Sequence, residues 1–207
     1  SKPLQLSREV VEIARLLWKG EPVNYEGEFF KIKDARIGFP CRSDIEVHWA
    51  ARGPKMLELG GELADVNLLH GIPDFDLANV IEIVNRGATK ANRPTQLQYA
   101  AMLVYDEPSR AIARARTVYR LVDSSDDVKE KLGLSPERIA EMRRLVTTTG
   151  PKSAAHLVTD EILNHYVIEG DAGSCARTLA QMVKEYGLTG ITFEIPDLRA
   201  ACSSGYF

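Results

Sequence analysis

Cysteine is scarce: there are three in 207 residues. Cys41, Cys175 and Cys202 stand far apart with no Cys-x-x-Cys pair, which argues against both a disulfide framework and a thiolate zinc site and leaves reduced, incidental thiols. Histidine is almost as rare. His48, His70, His156 and His165 show neither His-Glu-x-x-His spacing nor a neighbouring carboxylate cluster, so no metal is expected. There is no surplus of positive charge. The 26 Lys and Arg against 29 Asp and Glu give a net charge of −3, which disfavours nucleic acid and anionic membrane surfaces as partners. No apolar run approaches the roughly 20 residues of a membrane-spanning helix. Ser1-Lys2-Pro3-Leu4-Gln5 lacks the apolar core of a signal peptide, so a cytoplasmic protein is expected. No close internal repeat or low-complexity tract is present.

A hydrophobic content of 44% is ample for a sizeable core, and one domain over 1–207, or at most two small ones, is the natural reading. Ser7 can cap a helix whose apolar face is Val10, Ile13, Ala14, Leu17 and Trp18, with Gly20 as a left-handed stop. Val23 to Ile32 carries two β-favouring runs around Glu26-Gly27 and predicts a hairpin, so residues 1–44 form a helix-and-hairpin lead-in. Strands are then expected at Ile45–Ala51, Asp65–His70, Gln96–Tyr105 and Gly190–Ile195. Helices are expected at Lys55–Ala64, Phe75–Lys90, from Pro108 to Leu121, from Pro136 with Ser135 as cap, and at Ala172–Tyr186 before Gly187. The alternation of strand and helix means a parallel sheet covered by helices, an α/β fold. The charged helical stretch within 122–170 interrupts one βα unit as an insertion.

Strand parity singles out polar positions. Glu46 and His48 share one face of the first of these strands, Thr192 and Glu194 one face of the last, and Asn67 and Gln98 interrupt the other two. Parallel strands packed on both faces should be nearly continuously apolar, so these residues mark either a site or a satisfied structural network. Glu46 is expected to lie deep. His48 and Glu194, nearer the carboxyl ends of their strands, are the candidates for pocket groups, and neither is assigned a proton-transfer role.

The turn Ala50-Ala51-Arg52-Gly53-Pro54 sets small residues at a helix amino terminus, where free N–H groups and the positive end of the helix dipole attract a phosphate. Short strand-to-helix turns also take small residues for steric reasons, so composition leaves both readings open.

The run Gly53-Pro54-Lys55-Met56-Leu57-Glu58-Leu59-Gly60-Gly61-Glu62-Leu63-Ala64-Asp65 closely resembles the link between the fifth and sixth barrel strands of luciferase-like monooxygenases and F420-dependent reductases. Trp18-Lys19-Gly20-Glu21-Pro22-Val23, Tyr25-Glu26-Gly27-Glu28-Phe29-Phe30 and Glu185-Tyr186-Gly187-Leu188-Thr189-Gly190-Ile191-Thr192 extend the resemblance in collinear order along nearly the whole chain. It implies a (β/α)₈ TIM barrel of which only the second half, strands five to eight plus the insertion, is present. A lone half exposes two strand edges, so the resemblance also implies a homo-oligomer or a missing amino-terminal half. The wording is most similar to the methylenetetrahydromethanopterin-reductase-like branch, implying hydride transfer with coenzyme F420 and a small-molecule substrate. FMN with monooxygenase activity, a non-catalytic half-barrel completed by a partner chain, and a generic phosphate-sugar-binding domain are the alternatives. The family holds the cofactor phosphate on residues matching Ala51, Arg52 and Gly53 and on the strand end matching Leu69, His70 and Gly71. The chain departs from the family pattern at Val66, usually glycine, and at His70, usually a small or hydroxyl residue.

Overall fold

The computed structural model describes residues 2–194. In chain order these form α1 (Lys2–Leu17), β1 (Val23–Glu26), β2 (Lys31–Ala35), β3 (His48–Ala50), α2 (Pro54–Leu63), β4 (Val66–His70), a 3₁₀ turn (Asp74–Asp76), α3 (Leu77–Lys90) and β5 (Gln96–Val104). There follow α4 (Glu107–Val122), α5 (Asp126–Lys131), α6 (Pro136–Thr149), α7 (Pro151–Ala154), a second 3₁₀ turn (Ala155–Leu157), α8 (Asp160–Asn164), β6 (Ile168–Glu169), α9 (Ala172–Tyr186) and β7 (Gly190–Glu194). The described residues divide into two compact units: 2–67 with Glu82–Gln96, and Leu68–Ile81 with 97–194.

In the first unit, Val11 of α1 packs with Leu59 and Leu63 of α2, and Leu4, Val47, Trp49 and Met56 close around them. Helix α2 also lies backbone to backbone on the end of α3. A Cβ on Gly61 would fall 2.0 Å from the Val84 carbonyl oxygen, and one on Gly87 would fall 2.0 Å from that of Glu58, so both positions need glycine for close approach. The hairpin pairs antiparallel, Val23 opposite Ala35.

Helix α1 corrects two expectations. It begins well before Ser7, which therefore caps nothing, and its buried residues are Glu9, Val11 and Ile13, while Val10 is 49% exposed. The cause is Glu9, whose fully buried carboxylate accepts the N–H groups of Glu28 (2.8 Å), Phe29 (2.9 Å) and Phe30 (3.0 Å) and the Gln5 amide (2.9 Å). The hairpin turn thus docks on a charge, and Glu9 takes an inward position beside Val11 and the expected Ile13, leaving Val10 outside. Burial pushes the Glu9 carboxyl up, but the bonds from Gln5, Phe29, Glu28 and Phe30 outweigh it and hold the pKa below the ordinary range.

Strand β3 is shorter than the expected Ile45–Ala51. The Val47 N–H is taken by the Asp65 carboxylate at 2.8 Å, which also binds Arg15 at 3.0 Å and Arg93. Glu46, expected to lie deep, precedes the strand with its side chain 56% exposed.

In the second unit β5 runs parallel to β7, with Gln98 opposite Gly190 through Met102 opposite Glu194, and parallel to β6, with Leu103 opposite Ile168. Parallel strands joined through helices make this an α/β fold. The two-residue β6 was not expected, being too short to carry a periodic signal. Met102 and Val104 of β5 share one apolar cluster with Val118 and Leu121 of α4 and with Leu134, Ile139, Met142, Ile162, Leu163 and Tyr166. Residues of the 122–170 segment are therefore built into the core beneath β5. Helix ends follow their caps: Asp106 on Ser109, Ser135 on Arg138, Asp171 on Ser174, and Gly187 at φ +64° behind α9. Of the expected α9 stripe, Cys175 and Leu179 are buried, Met182 is half-buried and Val183 exposed. Ile195 and Cys202 lie outside the described residues.

Candidate functional site

The turn that carries Ala51, Arg52 and Gly53 leaves β3 at its carboxyl end and enters α2. Gly53 is the N-cap, in extended backbone (φ −75°, ψ 141°), with no side-chain cap bond to the helix N–H groups, while Trp49 Nε1 donates to the Met56 carbonyl at 3.0 Å. Its carbonyl accepts the Leu57 N–H at 2.9 Å, and Pro54 brings no donor, so the N–H groups of Lys55 and Met56 are the ones that face forward from the helix end. A Cβ built on Gly53 meets nothing within 4 Å. Open space, uncapped donors and the positive end of a ten-residue helix fit an anion. Ala51 and Arg52 are half-buried and Gly53 is exposed.

His48 opens the same short strand, exposed, with Nε2 3.2 Å from Glu46 Oε2. The two polar residues thus pair with each other on a solvent-facing surface of this unit. Asn67, by contrast, is 1% exposed and donates to Thr95 Oγ1 at 2.8 Å, and Thr95 in turn donates to the Ala64 carbonyl. That is the satisfied structural arrangement, except that Asn67 Oδ1 is buried without a hydrogen-bond partner. A groove of about 660 Å³, lined by Arg15, Asp65, Arg93 and the residues from Ser43 to Glu46, lies before the amino end of β3, away from the Gly53 turn.

In the second unit Leu69 is buried, His70 is half-buried, and Gly71 turns the chain in the left-handed region at φ +67°. A Cβ at Gly71 would fall 3.0 Å from Cγ and 3.2 Å from Cδ of Arg120, which reaches across from α4 and is only 3% exposed. Glu194 ends β7 opposite Met102, and its side chain lies outside what is described.

Sequence reasoning missed Arg120 and the contact between Asp74 and His165. Arg120 had a signal: it falls at the helical spacing of Ala113, Thr117 and Leu121, all buried, so a charge occupies the inward phase of α4. His165 had none, since its partner is 91 positions away. Among the described residues no group of His, Cys, Asp and Glu could hold a metal, and no helix is long and apolar enough to cross a membrane.

Parallel strands joined through helices define an α/β protein, and its Gly53 turn enters α2 with no side-chain cap. The chain belongs to the luciferase-like monooxygenase family, whose model matches residues 1–190. It is 32% identical over 201 residues to the 5,10-methylenetetrahydromethanopterin reductase of Archaeoglobus fulgidus, covering 92% of this chain and 59% of that protein. It is 27% identical to the F420-dependent glucose-6-phosphate dehydrogenase of Gordonia bronchialis, covering 86% of this chain and 58% of that one. The solved coenzyme F420-dependent tetrahydromethanopterin reductase from Methanopyrus kandleri superposes with a TM-score of 0.80 at 23% identity, over 98% of this chain and 61% of that chain. The chain therefore spans about three fifths of the length of the relatives it matches.

Proposed function

We propose that this chain is the carboxyl-terminal half of an F420-dependent oxidoreductase barrel, acting by hydride transfer of the methylenetetrahydromethanopterin reductase type. The observation that supports the reading is the uncapped amino end of α2 at Gly53, a turn that the resemblance to the family assigns to the cofactor phosphate. The identity to the archaeal reductase runs along 92% of this chain, and the dehydrogenase of Gordonia bronchialis and the solved reductase of Methanopyrus kandleri, both F420-dependent, support the choice of cofactor. On this reading 1–207 is one half-barrel domain, 1–44 its lead-in and 122–170 an insertion within it.

Coenzyme F420 bound there would supply a hydride carrier at its deazaflavin ring. The chain's own contribution is to bind and orient. The N–H groups of Lys55 and Met56 donate to the phosphate and the dipole of α2 favours its charge, Gly53 leaves room for it, and Arg52 adds positive charge beside the turn. Leu69, His70 and Gly71 form the second family phosphate position. His48 in the first unit and Glu194 in the second are each proposed as substrate-pocket groups that act by positioning and charge. The remaining barrel strands would come from a second copy or from the portion of the relatives that this chain does not span.

Titration of the purified chain with F420 and with FMN, followed by fluorescence, tests the reading. Saturable binding of F420 supports it. No binding of either ligand to a sample shown to be folded by circular dichroism overturns it, and binding of FMN alone redirects it to the monooxygenase branch.

A further inference from the structure

The segment that leaves β4 is held from behind by residues far away in sequence. Gly71 takes a left-handed turn against the buried Arg120 stem, and Ile72 and Pro73 after it are also buried. Asp74 and His165 then bond twice. The Asp74 N–H donates to the His165 carbonyl at 2.9 Å, and the Asp74 carboxylate meets His165 Nδ1 at 2.7 Å. The same carboxylate oxygen accepts the Phe75 N–H at 2.7 Å, and the Phe75 ring stands edge-on to the imidazole, 5.1 Å between centroids. His165 does not owe its position to these bonds. It caps the carboxyl end of α8 between Leu163 and Tyr166, which are 0% and 2% exposed in the core beneath β5. A half-exposed side chain with a core-fixed backbone, bonded at both its main chain and its ring to one loop residue, is a rigid post.

We infer that His165 is a positioning residue for the cofactor-phosphate end of β4. Through Asp74, and with Arg120 packed on Gly71, it holds Leu69-His70-Gly71 in one conformation. The helical segment 122–170 thereby acquires a task, as the support of a ligand loop. The inference rests on the cofactor reading above for the identity of the ligand, and on the contacts alone for the clamp. A loop that samples other conformations binds in proportion to the fraction that is competent, so releasing the clamp weakens affinity without removing a ligand contact.

Three chains test this: the parent, His165→Ala, and His165→Asn, whose amide nitrogen stands near the place of Nδ1. Hydrogen exchange read by mass spectrometry should show faster exchange at residues 71–76 in His165→Ala, no change at 98–104, and recovery in His165→Asn. Titrated with F420, His165→Ala should bind about tenfold more weakly than the parent if the competent fraction falls to about a tenth. The phosphate-free ribityl form of the same deazaflavin should bind parent and variant alike, a distinction that a general loss of structure would not make. Unchanged exchange at 71–76, or equal weakening for both ligands, overturns the inference. Failure of the parent itself to bind F420 removes the cofactor role together with the reading above, while the exchange comparison, which needs no ligand, still decides the clamp.

Discussion

Gly71 combines two demands that ordinarily occur apart. Its φ of +67° belongs to the left-handed region, and the space a Cβ would fill is taken by the Arg120 side chain at 3.0 to 3.3 Å. Gly71→Ala should therefore cost about 1–2 kcal/mol for the backbone conformation, with a further penalty as Arg120 shifts, and urea denaturation would measure it. A loss of less than half that range would mean the turn relaxes freely. Asp65 allows a second prediction. Burial pushes its carboxyl up, but the Val47 N–H, Arg15 and Arg93 outweigh that and hold its pKa below the ordinary aspartate value. A depressed folded pKa contributes stability that is complete above the unfolded pKa and is lost as pH falls through the folded one. The melting temperature should thus decline below about pH 4, and Asp65→Asn should lower it at neutral pH while flattening that decline. An equally steep acid slope in the variant would assign the acid sensitivity to other groups, Glu62 first, since its carboxyl is also held low against burial by Lys90 and Arg8. Neither residue was legible as such in the sequence. The left-handed turn at Gly71 and the triple bonding of Asp65 are set by partners that local pattern does not reveal.

Elements were legible wherever a cap and a period agreed. Ser135 with Pro136, Gly187, and the face Leu77, Val80, Ile81 and Val84 each locate a helix because the signals that stop or bury it lie inside it. The expected face of α1 held at Ile13 and failed at Val10, where a buried charge, Glu9, satisfied by N–H groups 19 to 21 residues away, takes the inward position instead. The short pieces α5, α7, α8 and β6 are 6, 4, 5 and 2 residues long and carry too few turns or pleats to show a period. Packing ties the segment to the strand all the same, for Leu163 and Met142 are fully buried in the cluster that also holds Met102 and Val104. Leu163→Ala should cost about 2–5 kcal/mol, and it should shift one cooperative transition of β5 and the insertion together. A separate early transition confined to the helices would show that the segment folds independently of β5.

At the scale of the molecule, the Gly53 turn is proposed to supply one phosphate-binding helix end, and a half-barrel of the proposed kind leaves strand edges that a second copy or a complementary chain would pair. Those two properties come apart under mutation. Arg52→Glu reverses a charge beside the uncapped donors of α2. A charge-assisted contact contributes about 1.5–3 kcal/mol, so the variant should bind F420 at least tenfold more weakly. It should not alter the association state, because pairing of strand edges depends on main-chain hydrogen bonds that a turn residue does not supply. Sedimentation of the parent should give a mass above that of one chain, and the variant should match it while losing F420 fluorescence changes at the parent's half-saturating concentration. A stable monomer in both would remove the requirement for pairing and leave the turn as the whole of the binding argument. Unchanged F420 affinity in Arg52→Glu would move the phosphate away from Gly53 and leave only the β4 end, where His165 and Arg120 support the chain, as the anion-holding element.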